Sequence, residues 1–235
     1  LVQDFNLALE EVLRLDASDL FLTADLVPSM KVNGKIQRLS EHPLTSQQVT
    51  QLANNLMDRT QRKEFERNLE LNFAIAPSDK ARFRVNIFKQ KNKPGIVLRR
   101  IKMEIPTIDE LDLPPVINNI ALAKRGLVVI VGATGSGKSS TLAAMIGHRN
   151  HNSSGHIISV EDPIEYIHEH DGCIITQREV GVDTHSFEAA LQNTLRQAPD
   201  VIYIGEVRSR ETMDHALAFA ETGHLCLTTL HANNA

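Results

Sequence analysis

The sequence contains no tryptophan, only two cysteines and no long apolar run. The solitary cysteines, Cys173 and Cys226, exclude a disulfide framework and a paired-cysteine metal site, so both are predicted to be buried thiols. No apolar stretch approaches the ~20 residues of a membrane span, and no secretory leader opens the chain. We therefore expect a cytoplasmic protein. Because the chain starts without methionine and stops after a strand-like segment, we also expect a longer parent protein.

Charge is distributed unevenly along the chain. Residues 1–105 carry 17 lysines and arginines against 13 acidic residues, whereas residues 106–235 carry 8 against 16. This asymmetry predicts complementary packing between domains or subunits. Nucleic-acid binding is the competing interpretation, because residues 80–102, beginning at Lys80, contain nine basic residues and no acidic one. The same segment has only two aromatic residues, which are few for stacking against bases.

Residues 1–103 are predicted to form an α+β domain around an antiparallel sheet. Helical periodicity is found over residues 4–15, 49–57 and 59–69. Short strands are predicted over residues 20–23, 30–32 and 35–39. Asn33 and Gly34 form a two-residue hairpin signal. Residues 81–88 alternate between apolar and polar side chains, which indicates a half-buried strand that pairs with residues 96–101.

Residues 104–115 are predicted to link this domain to a second one. The segment contains three prolines and a capping box of Thr107 and Glu110, so it reads as short capped pieces that can hinge. A similar capping box, formed by Thr45 and Gln48, marks the start of the second helix in the first domain.

Residues 116–235 alternate between apolar strands and amphipathic helices. The predicted strands cover residues 127–131, 157–160, 201–204 and 225–230. The predicted helices cover residues 116–125, 141–146, 187–197 and 211–221. This alternation predicts a parallel, doubly wound α/β sheet of the RecA-like P-loop kind.

An eight-residue segment, which we call the phosphate loop, follows the first of these strands and leads into a helix. It reads Gly132, Ala133, Thr134, Gly135, Ser136, Gly137, Lys138 and Ser139, and Ser140, the next residue, is also predicted to contact the nucleotide. This order fits G-x-x-x-x-G-K-[ST], in which glycines let backbone N–H groups converge on phosphate oxygens. Lys138 is predicted to serve the β and γ phosphates of ATP, and Ser139 to offer its hydroxyl to Mg²⁺.

Acidic residues follow two strands of the predicted sheet, at the edge where the metal and the attacking water of a P-loop hydrolase lie. Glu206 follows the strand at residues 201–204 and is predicted to orient the water ligands of magnesium. Glu161, Asp162 and Glu165 cluster after another strand, and their mutual repulsion indicates a nearby metal or cation. A solvated acidic loop is the alternative interpretation.

Basic side chains supply further candidates. Arg82 and Arg84 share a strand face with Arg99 nearby in the hairpin, so they could stabilise a transferring phosphoryl group or simply form a solvated face. His224 and His231 bracket the last strand and could sense the γ-phosphate, bridge to a neighbouring subunit or be structural. Five other histidines show no fixed ligand spacing and are assigned to the surface: His148, His151, His156, His168 and His170.

Several motifs together resemble those of the PilT/PilU family of type IV pilus retraction ATPases, within the wider secretion ATPases. The segments that resemble the family's N-terminal signature, arginine strand, Asp box, Walker B and His box are residues 17–20, 81–86, 161–165, 205–208 and 221–231. Phe21 and residues 32–34 and 195–200 bring the chain closer to the PilU branch.

The resemblance implies a homo-hexamer with an N-terminal PAS-like domain and a RecA-like core, which hydrolyses ATP to power pilus retraction and twitching motility. Glu165 is implied as the general base, Glu206 as the magnesium-water residue, Arg84 and Arg99 as the γ-phosphate arginines and His231 as a nucleotide contact. The implied partners are the inner-membrane platform protein of the pilus and a paralogous retraction ATPase. Membrane association is expected only through these partners, and no nucleic acid is expected.

One departure from the family pattern keeps alternatives open. Ser209 stands where the family usually has aspartate after Arg208. An accessory nucleotide-binding subunit that acts through a partner ATPase is therefore a second hypothesis. A nucleic-acid motor of RecA-like fold, using residues 80–102, is a third.

Overall fold

The computed structural model describes residues 2–78 and 81–232, so Lys80 of the basic segment lies outside the described residues. The chain divides into two compact units, Leu1–Ile101 and Lys102–Ala235. Residues 104–115, predicted as a linker, belong to the second unit, and the Thr107 and Glu110 capping box is formed there. Within the described ranges, none of the helices is both long enough and apolar enough to span a bilayer.

The first unit is a six-stranded antiparallel sheet with three helices. The helices are α1 (Val2–Arg14), α2 (Ser46–Leu56) and α3 (Arg59–Asn68). The strands are β1 (Asp19–Thr23), β2 (Ser29–Val32), β3 (Lys35–Arg38), β4 (Glu70–Ser78), β5 (Ala81–Gln90) and β6 (Lys93–Ile101). They are ordered β3-β2-β1-β6-β5-β4. The predicted α+β unit with its antiparallel pairing of β5 and β6 is confirmed.

Local sequence signals explain most of this unit. Asn33 and Gly34 both have positive φ, 48° and 78°, as a two-residue hairpin turn requires. The side chain of Thr45 accepts from the backbone of Gln48, which completes the predicted capping box of α2. Alternate residues of β5 are fully buried, and apolar side chains from the three helices share the same core.

The second unit is a five-stranded parallel sheet flanked by helices. The strands are β7 (Gly126–Gly132), β8 (Gly155–Glu161), β9 (Cys173–Glu179), β10 (Val201–Val207) and β11 (Leu225–His231). The helices are α4 (Val116–Ala121), α5 (Lys138–Asn152), α6 (Phe187–Thr194) and α7 (Arg210–Glu221), with a 3₁₀ turn at Leu195–Gln197. The strand order is β7-β11-β10-β8-β9.

This sheet is the middle of three layers. One face packs against α4 and α5 and buries alternate residues such as Val201 and Tyr203, while the other packs against α6 and α7 and buries Ile202 and Ile204. Because every pairing is parallel, the carboxyl ends of the strands meet at one edge, where ligands bind in open α/β sheets. The predicted α/β architecture is confirmed.

Three details differ from the sequence-based expectations. The helix predicted over residues 116–125 ends at Ala121, because the chain turns there before Gly126 starts β7 with a φ of 127°. β4 and β9 were not predicted. Both carry an alternating pattern and lie at an edge of their sheet. In β4 only Leu71 and Phe73 are buried, and in β9 the buried face continues into the polar residues Gln177 and Glu179. The prediction that Cys173 and Cys226 are buried thiols is confirmed.

Candidate functional site

The phosphate loop connects the end of β7 to the start of α5. Gly135 and Gly137 have φ values of 77° and 89°, which lie in the left-handed region that favours glycine. A Cβ at Gly132 would come within 2.6 Å of the Ser136 Oγ, so a larger residue here would force the serine hydroxyl to move. The loop therefore presents backbone and the N-terminus of a 15-residue helix to the space in front of it.

Lys138 folds its ammonium group back over this loop. Its Nζ donates to the carbonyl oxygen of Gly132 at 2.9 Å and to that of Ala133 at 2.8 Å. The loop thus holds the positive charge beside its own backbone. A bound phosphate would offer the ammonium charged oxygens, which make stronger hydrogen bonds than neutral carbonyls do.

A cleft of about 410 Å³ opens in front of the phosphate loop. The predicted site residues that line it are Thr134, Gly135, Gly137, Lys138, Ser139, Ser140, Glu165, Glu206 and His231. Gly132, Ala133 and Ser136 form the loop without lining the cleft. The parallel register explains why distant segments converge, because Gly132 pairs with His231 and the strand ending at Glu161 runs beside the one carrying Glu206.

Arg208 is the cation that the acidic cluster requires, and sequence reasoning did not assign it a role. Its Nε donates to a carboxylate oxygen of Glu206 at 2.7 Å, and its Nη1 donates to Asp162 at 3.1 Å. The guanidinium therefore joins the acidic residues of two neighbouring strands at the cleft. Its signal was its position two residues after Glu206, at the end of a buried strand.

The three clustered carboxylates occupy different environments. Glu161 is 5% exposed and accepts hydrogen bonds from the Ser159 hydroxyl at 2.6 Å and the Gln177 amide at 3.2 Å. Burial raises its pKa to about 7, and the charge of Glu165 adds to the rise. Glu165 itself is exposed at the cleft. Of the three clustered carboxylates, it is the one that is exposed at the cleft and not engaged by Arg208.

Comparison with known proteins agrees with this geometry. The family described as Type II/IV secretion system protein matches residues 1–235. The chain belongs to this family. It is 63% identical over 230 residues to the type IV pilus ATPase PilU of Pseudomonas aeruginosa, covering 96% of this chain and 60% of that protein. It is 45% identical over 219 residues to the type IV pilus retraction ATPase PilT of the same organism, covering 93% and 64%.

The same relationship holds in three dimensions. A crystal structure of the pilus retraction motor PilT with bound ADP superposes with a TM-score of 0.89 at 42% identity, covering 96% of this chain and 66% of that one. The chain spans about three fifths of the length of its curated relatives PilU and PilT. The resemblance to the PilT/PilU family, closer to PilU, is confirmed.

The histidines singled out from the sequence lie in different settings in this secretion-family chain. The His231 ring and the Thr134 hydroxyl form a hydrogen bond at the phosphate loop, whereas His224 lies at the opposite end of β11 beside Thr222. The surface assignment is confirmed for His151 and His170, which are exposed, and is wrong for His148, His156 and His168, which are half-buried. Both ring nitrogens of His156 have hydrogen-bond partners in neighbouring segments, and the ring of His168 is buried without a bond at Nδ1 in the described residues.

Two serines have contacts that the motif alone does not reveal. The Ser140 hydroxyl lies 2.8 Å from the Tyr166 hydroxyl, so the start of α5 is tied to the residue after Glu165. Ser209 is the N-cap of α7, and its Oγ accepts from the backbone N–H of Thr212 at 3.2 Å. Serine and aspartate are both good N-caps, so the departure at Ser209 preserves the local structure after β10.

Arg84 and Arg99 lie directly opposite each other on β5 and β6. Arg99 donates to the buried carboxylate of Asp19 at 2.9 Å. Both arginines belong to the first unit, and all residues that line the cleft belong to the second. Their predicted contact with the γ-phosphate stays a prediction.

The donors at the cleft suit a magnesium ion that arrives with a nucleotide. Ser139 and Glu206 offer hard oxygen atoms, which magnesium prefers. Within residues 2–78 and 81–232, no three histidine, cysteine or acidic side chains converge to hold a metal without other ligands. The donor set therefore fits an ion that keeps waters and binds phosphate oxygens.

Proposed function

We propose that this chain is an ATP-hydrolysing subunit of a hexameric motor that powers type IV pilus retraction and twitching motility. The observation that carries the proposal is the single cleft where the phosphate loop with Lys138 meets Glu165 and Glu206. The glycine turn, the parallel sheet and the site at its carboxyl edge support a RecA-like P-loop core. The antiparallel first unit supports a PAS-like N-terminal domain.

Each residue has a distinct task in this mechanism. Backbone N–H groups of the phosphate loop and the Lys138 ammonium bind the phosphates of ATP. Ser139 and, through bound waters, Glu206 would hold a magnesium ion, whose positive charge would offset the negative charge of the phosphates. Glu165 accepts a proton from the water that attacks the γ-phosphate. Arg84 and Arg99, from the first unit, would stabilise the charge that develops on the transferring group.

The role of Arg208 follows from its contacts. It holds the Glu206 carboxylate at 2.7 Å and so fixes the side chain that we assign to the metal's waters. Because Arg208 also bonds Asp162, it keeps the end of β10 and the segment after β8 together. We expect it to preserve the geometry of the cleft between successive turnovers.

The partners and location are part of the proposal. We expect a homo-hexamer at the cytoplasmic face of the inner membrane, bound to the pilus platform protein and working with a paralogous retraction ATPase. The nucleic-acid hypothesis is disfavoured because three basic residues of the densest segment already pair with acidic residues: Lys93 with Asp25, Arg99 with Asp19, and Arg100 with Asp16. Such pairs leave less positive charge for a phosphate backbone.

The test is phosphate release by the full-length protein, combined with sizing in ATP and Mg²⁺. Lys138→Ala should weaken ATP binding, whereas Glu165→Gln should keep ATP bound but lower kcat by about 10²- to 10⁴-fold, the usual contribution of a general base. Hexamers that hydrolyse ATP without DNA are expected. Normal turnover by Glu165→Gln would overturn the assignment of the base, and DNA-dependent turnover would favour the nucleic-acid motor.

A second candidate is an accessory subunit that binds nucleotide and acts mainly through a partner ATPase. The identity of 63% to PilU, against 45% to PilT, favours it. Phosphate release measured alone and with a purified PilT-type partner separates the two functions. An accessory subunit should show slow turnover alone, while a motor should turn over at a similar rate in both conditions.

A further inference from the structure

The segment that carries Glu165 has little regular structure of its own. Residues 162–172 connect β8 to β9 and form neither helix nor strand, apart from a bridge between Lys102 and Tyr166. The Glu165 side chain points into the cleft from this connection. The position of the carboxylate therefore depends on the contacts that fix the backbone around it.

Gln177 on β9 contacts that backbone with both ends of its amide. Its Nε2 donates to the carbonyl oxygen of Tyr166 at 2.8 Å, and its Oε1 accepts from the N–H of His168 at 2.8 Å. The same Nε2 lies 3.2 Å from the buried carboxylate of Glu161. One side chain thus satisfies two backbone groups on the C-terminal side of Glu165.

Glu179 bonds the backbone on the N-terminal side of Glu165. Its carboxylate accepts from the N–H of Ile164 at 3.0 Å, directly before Glu165. Glu179 is 4% exposed, so this bond is shielded from water. Because residues two apart in a strand share a face, Gln177 and Glu179 approach the segment from the same side of β9. The backbone before and after Glu165 is therefore held by one strand.

We propose that Gln177 and Glu179 are positioning residues for Glu165, which place its carboxylate against the attacking water. This inference rests on the proposed function, in which Glu165 is the general base. Neither residue lines the cleft, so each acts through the backbone of residues 164–168 and not by touching the nucleotide. A displacement of about 1 Å at a reacting group can lower a rate by ~100-fold.

The first test compares substitutions on β9 in the full-length protein. Gln177→Ala removes both backbone contacts and should lower kcat by about 10- to 100-fold, with the Kd for ADP unchanged within about twofold because the phosphate loop is untouched. Glu179→Gln keeps a carbonyl acceptor for the Ile164 N–H and should lose much less. Thr176→Val is the control, since the Thr176 hydroxyl bonds His156 and not this segment. If Gln177→Ala and Thr176→Val have the same kcat, the proposal is wrong.

A double-mutant cycle separates this inference from the proposed function. If Gln177 acts through Glu165, then adding Gln177→Ala to Glu165→Gln should cause little further loss. Full additivity of the two losses would overturn the positioning role while leaving the general base in place. Wild-type turnover by Glu165→Gln alone would instead overturn the part of the proposed function on which this inference rests, the assignment of Glu165 as general base.

If Gln177→Ala does not fold, a more conservative substitution, Gln177→Asn, tests the same contacts. Gln177→Asn keeps the amide but is one methylene shorter, so it cannot make both backbone contacts without moving the segment. It should show the same fall in kcat at unchanged ADP affinity. Wild-type kcat in a folded Gln177→Asn protein would refute the proposal.

Discussion

The buried ring of His168 should make the stability of the second unit depend on pH. Its Nδ1 is buried and has no hydrogen-bond partner in the described parts of the chain, and burial lowers the pKa of His168 to about 4 from a model-compound value of 6.5. The folded state therefore keeps the ring neutral while the unfolded chain binds a proton. This contribution to stability is complete above pH 6.5 and is lost as the pH falls towards 4.

The size of the effect follows from the two pKa values. A difference of one pKa unit corresponds to about 1.4 kcal/mol, so the complete loss is about 3.5 kcal/mol and the loss between pH 7.5 and pH 5 is about 2 kcal/mol. His168→Phe removes the titrating group and keeps an aromatic ring of similar size. The variant should therefore lack this loss, and its advantage over the wild type should grow by about 2 kcal/mol on acidification to pH 5.

Tyrosine fluorescence during urea unfolding provides the assay. The chain has two tyrosines and no tryptophan, and both tyrosines, Tyr166 and Tyr203, lie buried in the second unit. Their signal therefore reports the unfolding of the unit that contains His168. Ser154→Ala, an exposed and non-titrating change, should follow the wild-type pH dependence. A constant difference between wild type and His168→Phe from pH 7.5 to pH 5 would refute the reasoning.

Three further outcomes are expected. Glu161→Gln should show the opposite pH trend to His168→Phe. The folded pKa of Glu161, raised to about 7, lowers the stability of the wild type as the pH rises from 4.5 to 7. In urea unfolding, the stability of the variant relative to the wild type should therefore increase by about 2.5 kcal/mol between pH 5 and pH 8. A Cβ at Gly137 would meet no atom within 4 Å, so Gly137→Ala tests the left-handed backbone alone. The variant should lose about 1–2 kcal/mol of unfolding free energy, and calorimetry should find weaker ATP binding. Ser209→Ala should lower the free energy of unfolding by about 1 kcal/mol in urea, whereas Ser209→Asp, which keeps an N-cap acceptor for α7, should change it little. Equal losses in the two variants would show that Ser209 does not stabilise α7 as an N-cap.

Some features of the candidate site could be predicted from the sequence because they depend only on residues that are close together along the chain. The glycines before Lys138 adopt backbone conformations that are costly for other residues, so their spacing alone predicts the turn. The strand patterns also placed Glu206 and Glu165 after neighbouring strands. The contact between Arg208 and Asp162 was not readable, because it joins residues 46 positions apart.

The edge strand β9 shows why the rest could not be predicted. Cys173 and Ile175 face the core, but Gln177 and Glu179 continue the same face with polar groups, since this face turns from the core towards the segment after β8. A pattern that mixes apolar and polar residues on one face hides a strand from periodicity arguments.

The sequence alone determined the phosphate loop and the parallel alternation of strands and helices, because these depend on backbone conformation and local apolar periodicity. The order of several motifs along the chain also carried the resemblance to a family of secretion ATPases. Tertiary structure decided which carboxylate is buried, which is held by Arg208 and which is open to a ligand. That sorting depends on desolvation and on partners brought together across the sheet, neither of which is encoded in the spacing of Glu161, Asp162 and Glu165 along the chain.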